Sequence, residues 1–104
     1  MVKHIILWKL KSGMSDDEKK RISAGIREGL EGLAGVIPGL TSIRVRTGYA
    51  DSSADLMLDS TFADRQALES YRTDPRHNAV ADRYVRPFVE VRLCLDYEEE
   101  SDEG

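Results

Sequence analysis

The chain has 104 residues, of which 40% are hydrophobic, enough for one compact core and too few for two ordinary domains. Its formal net charge of −4 comes from an acidic C-terminal stretch, so the rest of the chain carries a net charge of about +1 and has no basic run that would attract nucleic acid. Residues 98–104 are therefore predicted to form a disordered acidic tail, and residues 1–97 a single domain.

The single cysteine, Cys94, permits no internal disulfide and is typical of a reducing compartment. The N-terminal stretch MVKHIILWKLK is apolar, but Lys3 and Lys9 interrupt it, and it is too short to span a bilayer. We therefore expect a cytoplasmic protein with no membrane partner.

The first predicted element is a strand over residues 2–11, in which polar and apolar residues alternate. Its even positions form a nearly continuous apolar face, on which His4 is the exception. The members of this face are Val2, His4, Ile6, Trp8 and Leu10.

The next predicted element is a helix that begins after Ser15 and ends before Pro38. Ser15 and Glu18 have the spacing of a capping box, in which each side chain bonds a free backbone N–H of the first turn. Each glycine within the helix costs about 1 kcal/mol relative to alanine, so we expect these glycines to permit a close approach, to the sheet in the simplest case. They are Gly25, Gly29 and Gly32.

Two short strands are predicted over residues 41–47 and 55–62, joined by the polar loop GYADSSAD. A short helix follows in the stretch ADRQALESY. Asp74 and Pro75 then end that helix and begin another, since aspartate is a preferred N-cap and proline a preferred first helical residue.

A last strand is predicted over residues 89–97, with Val91, Leu93 and Leu95 facing the helices. The order β-α-β-β-α-α-β predicts an α+β, ferredoxin-like fold, with a four-stranded antiparallel sheet and helices on one face. We expect the opposite face to be too apolar to remain in water, so that two copies pair into an α+β barrel homodimer. Its apolar members are predicted to be Ile5, Leu7, Met57 and Cys94.

The stretch YRTDPRHN, residues 71–78, suggests a functional site. A bend at Asp74 can direct Tyr71 and His77 to one point, on the side of the sheet that carries His4. We expect an apolar wall around these three polar groups, suited to a small hydrophobic or aromatic molecule. The predicted wall consists of Ile6, Trp8, Leu58, Phe88 and Val91.

These residues suffice for proton abstraction next to a carbonyl group without any cofactor. Burial would keep both imidazoles neutral near pH 7, and we assign His77 as the base, Tyr71 as its partner and His4 as a group that orients the substrate. Two other interpretations remain: structural histidines satisfied by backbone carbonyls, and metal ligands. The chain has no histidine pair at positions i and i+4, which disfavours a metal site.

Four stretches together resemble the stress-responsive A/B-barrel domain family: VKHIILWKLK, IPGLTSIRVR, STFADRQALESYRTDPRHNAV and LDYE. The resemblance covers residues 2–98 and implies a dimeric ferredoxin-like fold. A plant polyketide cyclase of that family closes a linear polyketide by an aldol reaction without a cofactor, and its catalytic residues match His4, Tyr71 and His77. Its aromatic pocket wall on the first helix matches Ser23 and Ile26 here, which implies a ligand of different shape.

The first functional hypothesis is accordingly a homodimeric, cofactor-free cyclase or isomerase with an apolar pocket. The alternative is a non-catalytic stress-response protein that binds a small molecule. A weaker alternative is a cofactor-independent monooxygenase of the related dimeric barrels.

Overall fold

A four-stranded antiparallel sheet with helices on one side organises the chain. The computed structural model describes residues 1–100, and residues 101–104 of the predicted acidic tail lie outside the described residues. The elements are β1 (Val2–Leu10), α1 (Asp16–Glu31), β2 (Leu40–Thr47), β3 (Leu56–Phe62), α2 (Arg65–Thr73), α3 (Pro75–Val80), a π-helical segment (Ala81–Val85) and β4 (Val89–Glu98).

The strand order is β2-β3-β1-β4, so β1 lies inside the sheet and pairs with both β3 and β4. This order with this sequence of elements is the ferredoxin-like α+β fold, and the fold prediction is confirmed. In β1 the side chains at even positions point under the helices and are buried, whereas most of the odd positions are partly or fully exposed.

The core fills the space between the sheet and the helix layer. Strand alternation places apolar residues of β1, β2 and β3 on one face, where the buried stripe of α1 meets them. Each fully buried large apolar side chain stabilises the fold by about 1.5–3 kcal/mol. The most deeply buried large side chains are Ile26, Leu30, Leu56, Leu58, Phe62 and Tyr71.

Ser15 caps the start of α1 as the sequence indicates, since its hydroxyl accepts a bond from the Glu18 backbone N–H at 3.1 Å. The Glu18 carboxylate accepts from the Ser15 hydroxyl at 3.3 Å, so only the Ser15 half of the capping box forms. The glycines of α1 do permit a close approach, but their neighbour is a tyrosine, not the sheet. A Cβ atom at Gly29 would lie 2.7 Å from the Tyr84 ring, and one at Gly25 would lie 3.2 Å from it. The π-helical segment therefore packs directly on the backbone of α1.

The orientation predicted for β4 is wrong. Leu93 and Leu95 lie opposite Leu7 and Ile5 of β1, on the face away from the helices, and they are 63% and 61% exposed. Cys94, by contrast, lies opposite Ile6, on the helix side. Alternating hydrophobicity shows that β4 has an apolar face, but both sides of this sheet are apolar, so the pattern does not decide which side that face occupies.

β4 is an edge strand that the helix layer leaves largely uncovered, and every residue from Glu90 to Glu98 is exposed. The register shifts between the partners of Lys9 and Leu10, which indicates a β-bulge or a similar irregularity of this edge strand. Within residues 1–100 no helix is long and apolar enough to cross a membrane.

Candidate functional site

A cavity of about 430 Å³ lies between the helix side of the sheet and the segment formed by α2, α3 and the π-helical turn. Its volume is in the range of small-molecule pockets, about 300–1,000 Å³. His4, Tyr71 and His77 all line it, as the sequence predicts. Its apolar wall consists of Ile6, Trp8, Leu30, Leu58, Ala81, Val85 and Val89.

Strand register gives His4 a carboxylate partner. His4 lies directly opposite Asp96 of β4, and its Nδ1 atom is 2.5 Å from the Asp96 Oδ1 atom. Burial lowers the pKa of His4, and the hydrogen bond to Asp96 opposes this effect in part. Burial would raise the pKa of Asp96, but the hydrogen bonds from His4 and Cys94 and the positive charge of Arg72 together outweigh it and leave the pKa lower than usual. The pair is therefore a neutral imidazole that donates from Nδ1 to an ionised carboxylate.

The break between α2 and α3 brings Tyr71 and His77 together. The Asp74 side chain caps α3 by accepting a bond from the Arg76 backbone N–H at 2.8 Å, and the chain turns there. The ring centroids of Tyr71 and His77 are consequently 4.0 Å apart, and those of His4 and Tyr71 are 6.2 Å apart.

Two buried polar atoms at this point, Tyr71 Oη and His77 Nδ1, have no hydrogen-bond partner among the described residues. Burial raises the pKa of Tyr71, so the phenol keeps its proton. Burial and the positive charge of Arg86 lower the pKa of His77, so this imidazole is neutral. Unpartnered buried polar atoms are costly, and atoms that line a cavity are available to a ligand.

Not all predicted wall residues reach the cavity. Ile6, Trp8 and Leu58 line it, whereas Phe88 packs against the core and Ile26 is fully buried beneath. The α1 residue in the wall is Leu30, one turn beyond Ile26. The two remaining predicted wall residues lie elsewhere. Ser23 lines a separate cavity beside Tyr49. Val91 lies opposite Lys9 on the face of the sheet away from the helices, called the open face below.

Sequence reasoning missed Asp96, Arg72, Arg86 and Arg92. Arg72 forms an ion pair with the free side of the Asp96 carboxylate, and all three arginines line the cavity. Asp96 is identified as a site residue only by the register of β4 against β1, which pairs it with His4. Residue type alone does not reveal that register. In the sequence, an edge strand whose polar residues face a cavity has the same alternating pattern as a strand whose polar residues face water.

Cys94 also belongs to this site and not to the open face. Its Sγ atom lies 3.6 Å from His4 Nδ1 and 3.4 Å from the Asp96 carboxylate. Burial and the neighbouring carboxylate raise the pKa of Cys94, so the thiol is neutral and a poor nucleophile. Ligand atoms of His4, Cys94 and Asp96 all lie within 4.8 Å of one another, but His4 and Arg72 already occupy the carboxylate.

The comparisons with known proteins agree with this fold. The profile of the stress-responsive A/B barrel domain family matches residues 2–99. A dimeric protein of unknown function from Bacteroides fragilis is 29% identical with a TM-score of 0.87, over 94% of this chain and 95% of that one. A family member from Mesorhizobium loti is 26% identical with a TM-score of 0.71, over 96% and 97%.

A hydroxynitrile lyase from Passiflora edulis shares the fold at 20% identity, with a TM-score of 0.70 over 96% of this chain and 94% of that chain. No curated protein matches the sequence.

Proposed function

The chain belongs to the stress-responsive A/B barrel domain family, and from that premise we propose that it is a cofactor-free enzyme that moves a proton next to a carbonyl group of a small organic substrate. The observation that carries the proposal is that His4, whose Nδ1 atom is paired with Asp96, lines a cavity together with Tyr71 and His77. The Tyr71 Oη and His77 Nδ1 atoms have no partner among the described residues. Because Asp96 fixes the proton of His4 on Nδ1, the Nε2 atom is left with a free lone pair.

His4 is the base in this proposal. Asp96 both selects the tautomer and stabilises the imidazolium that forms when Nε2 accepts a proton. The sequence analysis assigns this role to His77, whose imidazole is also neutral because burial lowers its pKa. We prefer His4 because it has a carboxylate partner, whereas His77 Nδ1 has none among the described residues.

Tyr71 is the complementary acid. When His4 removes a proton from the carbon next to the carbonyl group, negative charge develops on the carbonyl oxygen. The buried Tyr71 hydroxyl, which burial keeps protonated and which has no described partner, can donate to that oxygen. His77 supplies a second polar contact on the same side.

The resulting enolate has two outcomes, and both are compatible with the site. Proton return to a different carbon isomerises the substrate, and attack on a second carbonyl group of the same molecule closes a ring. The apolar wall around Trp8 and Leu58 would exclude water and hold the hydrocarbon part of the substrate. Neither outcome requires a redox group.

We further propose that the protein works as a homodimer paired through the open face of the sheet. Leu7, Val91, Leu93 and Leu95 are between 40% and 63% exposed on that face, and a contiguous apolar patch of this kind is typical of an interface. The Bacteroides fragilis relative is dimeric.

The enzymatic proposal is tested by hydrogen exchange. We would incubate the protein in D₂O with a panel of aryl alkyl ketones, acetophenone first, and follow loss of the proton signal of the carbon next to the carbonyl group by NMR. We expect exchange above the buffer rate in the wild-type protein and its loss in His4→Asn. Equal rates in the wild type and this variant would overturn the proposal, and circular dichroism would confirm that the variant is folded.

A further inference from the structure

The charged side chains around the cavity carry a net positive charge. Arg72, Arg86 and Arg92 line it together with a single lining carboxylate, Glu90. Asp96 adds a second negative charge next to the lining residues His4 and Arg72, which both contact it. The apolar wall and the arginines therefore face the same cavity.

The three arginines are not equally available. Arg72 forms ion pairs with Glu69 and Asp96, and Arg86 with Asp82. Arg92 forms no ion pair with any residue in the range 1–100. A guanidinium group is always charged and offers its donors in a planar fork, so Arg92 presents unused donors at the cavity.

Arg92 also lies close to the reacting groups. It is opposite Trp8 in the pairing of β1 with β4, two residues from Cys94 on the same face. Burial raises the pKa of Tyr71, and the positive charge of Arg92 acts against that rise. The charge of Arg92 therefore reaches the buried phenol, which is only 1% exposed and has no described hydrogen-bond partner.

We propose that the ligand of this cavity carries a carboxylate group, which Arg92 binds while the apolar part of the molecule lies along Trp8 and Leu58. The inference rests on the proposed function and specifies its substrate class: a small keto acid or a related apolar carboxylic acid. A carboxylate fits better than a phosphate, because one free guanidinium group balances one negative charge and the nearby Glu90 and Asp96 repel a dianion.

The experiment uses the intrinsic tryptophan fluorescence of the protein to detect binding in the cavity. Trp8 is the sole tryptophan of the chain and lines the cavity, so its fluorescence reports occupancy. We would titrate the wild-type protein with hydrocinnamate, its neutral analogue hydrocinnamide and phenethyl phosphonate. We expect hydrocinnamate to bind about tenfold more tightly than the amide, the value of a charge-assisted hydrogen bond, and more tightly than the phosphonate.

The variant Arg92→Gln should bind hydrocinnamate about tenfold more weakly and the amide with unchanged affinity. Arg21→Gln is the matched control, because it removes the same charge from an exposed position on α1 and should bind like the wild type. Added salt should weaken hydrocinnamate binding in the wild type and leave amide binding unchanged.

The outcomes separate the two proposals. Equal binding of acid and amide, with no effect of Arg92→Gln, would overturn the carboxylate inference and leave the acid–base function intact. Tighter binding of the phosphonate would overturn it in favour of a phosphate ligand. Quenching by none of the three compounds would overturn the ligand site itself.

Discussion

The Nδ1 atom of His4 and the Oδ1 atom of Asp96 lie 2.5 Å apart, although 92 positions separate the two residues in the chain. His4 is on the interior strand β1 and Asp96 on the edge strand β4. Asp96 fixes the tautomer of His4, because the nitrogen bound to Asp96 carries the proton and the other nitrogen is the acceptor.

Replacement of Asp96 tests whether this carboxylate supports His4 as the base. In Asp96→Asn the amide no longer stabilises an imidazolium, so we expect the exchange of ketone protons to fall about a hundredfold, the usual contribution of a general base. The matched control is Asp51→Asn, at an exposed loop position, which should keep the wild-type rate. A wild-type rate in Asp96→Asn, together with its loss in His77→Asn, would assign the base to His77 instead.

Tyr71→Phe should separate stability from activity. Because the Tyr71 hydroxyl is buried without a described partner, its removal should leave the free energy of unfolding unchanged or raise it by up to about 1 kcal/mol. Ketone exchange should fall, because the oxygen that develops charge loses its donor. Urea unfolding and NMR exchange measure the two effects, and a clear loss of stability would show that the hydroxyl is structurally bonded.

The lowered pKa values of the two histidines predict that the free energy of unfolding depends on pH. Burial lowers the pKa of both His4 and His77 from 6.5, so the unfolded chain binds more protons than the folded protein just below that value. The free energy of unfolding is therefore highest above about pH 6.5 and falls as the pH decreases toward the folded pKa values. Urea midpoints at about pH 8 and about pH 5.5 measure the fall.

A variant identifies the groups responsible for that fall. His77→Asn should reduce the difference between the two midpoints, since one titrating imidazole is removed. The carboxyl groups of Asp74 and Asp96 titrate below their ordinary value of 3.8, outside this range. An unchanged difference in His77→Asn would contradict the assignment of its lowered pKa.

Gly29→Ala should destabilise the protein although alanine favours helices. The new Cβ atom would lie 2.7 Å from the Tyr84 ring and 3.0 Å from Val80. We expect a net loss of about 1 kcal/mol, since overpacking of about 1–3 kcal/mol exceeds the gain in helix propensity of about 1 kcal/mol. Gly25→Ala, with 3.2 Å to the ring, should cost less.

The double variant Gly29→Ala/Tyr84→Ala provides the control for that prediction. Relative to Tyr84→Ala alone, the alanine at position 29 should be neutral or stabilising, because most of the clash is gone. Equal costs of Gly29→Ala in both backgrounds would show that Tyr84 is not the cause.

Leu93→Glu tests the proposed dimer. A charge in the centre of the open face should prevent two sheets from packing together, so sedimentation equilibrium should give a monomer of 11.7 kDa. Val36→Glu changes another exposed apolar residue, 46% exposed, outside the sheet and should remain dimeric. A wild-type protein that sediments as a monomer would contradict the proposal.

The fold was accessible from the sequence because its signals are local. Strand alternation in β1, the capping residue Ser15 and the Asp74–Pro75 break each depend on neighbours within a few positions. The break also correctly placed Tyr71 beside His77, and alternation placed His4 on their side of the sheet.

The rest of the site depends on register, which is not local. Arg92 lines the cavity, and Asp96 and Cys94 contact His4, only because β4 pairs with β1 in one particular alignment. The alternating pattern of β4 is compatible with either orientation of the strand. The sequence therefore predicts Leu93 and Leu95 under the helices, whereas the structure places them on the opposite face. Only the family resemblance, and no feature of the local sequence, predicts Ser23 as a wall residue, and Ser23 lies at a different cavity.

The position of β1 between β3 and β4 has a consequence for biosynthesis. Of the four strands, β1 is synthesised first, and both strands that pair with it, β3 and β4, follow much later in the chain. β4 is the last of them. Such pairing of distant segments is slow, and until it happens the chain emerging from the ribosome presents an open edge at β1. The His4–Asp96 pair can therefore form only when that edge closes, at the last step in the assembly of the sheet.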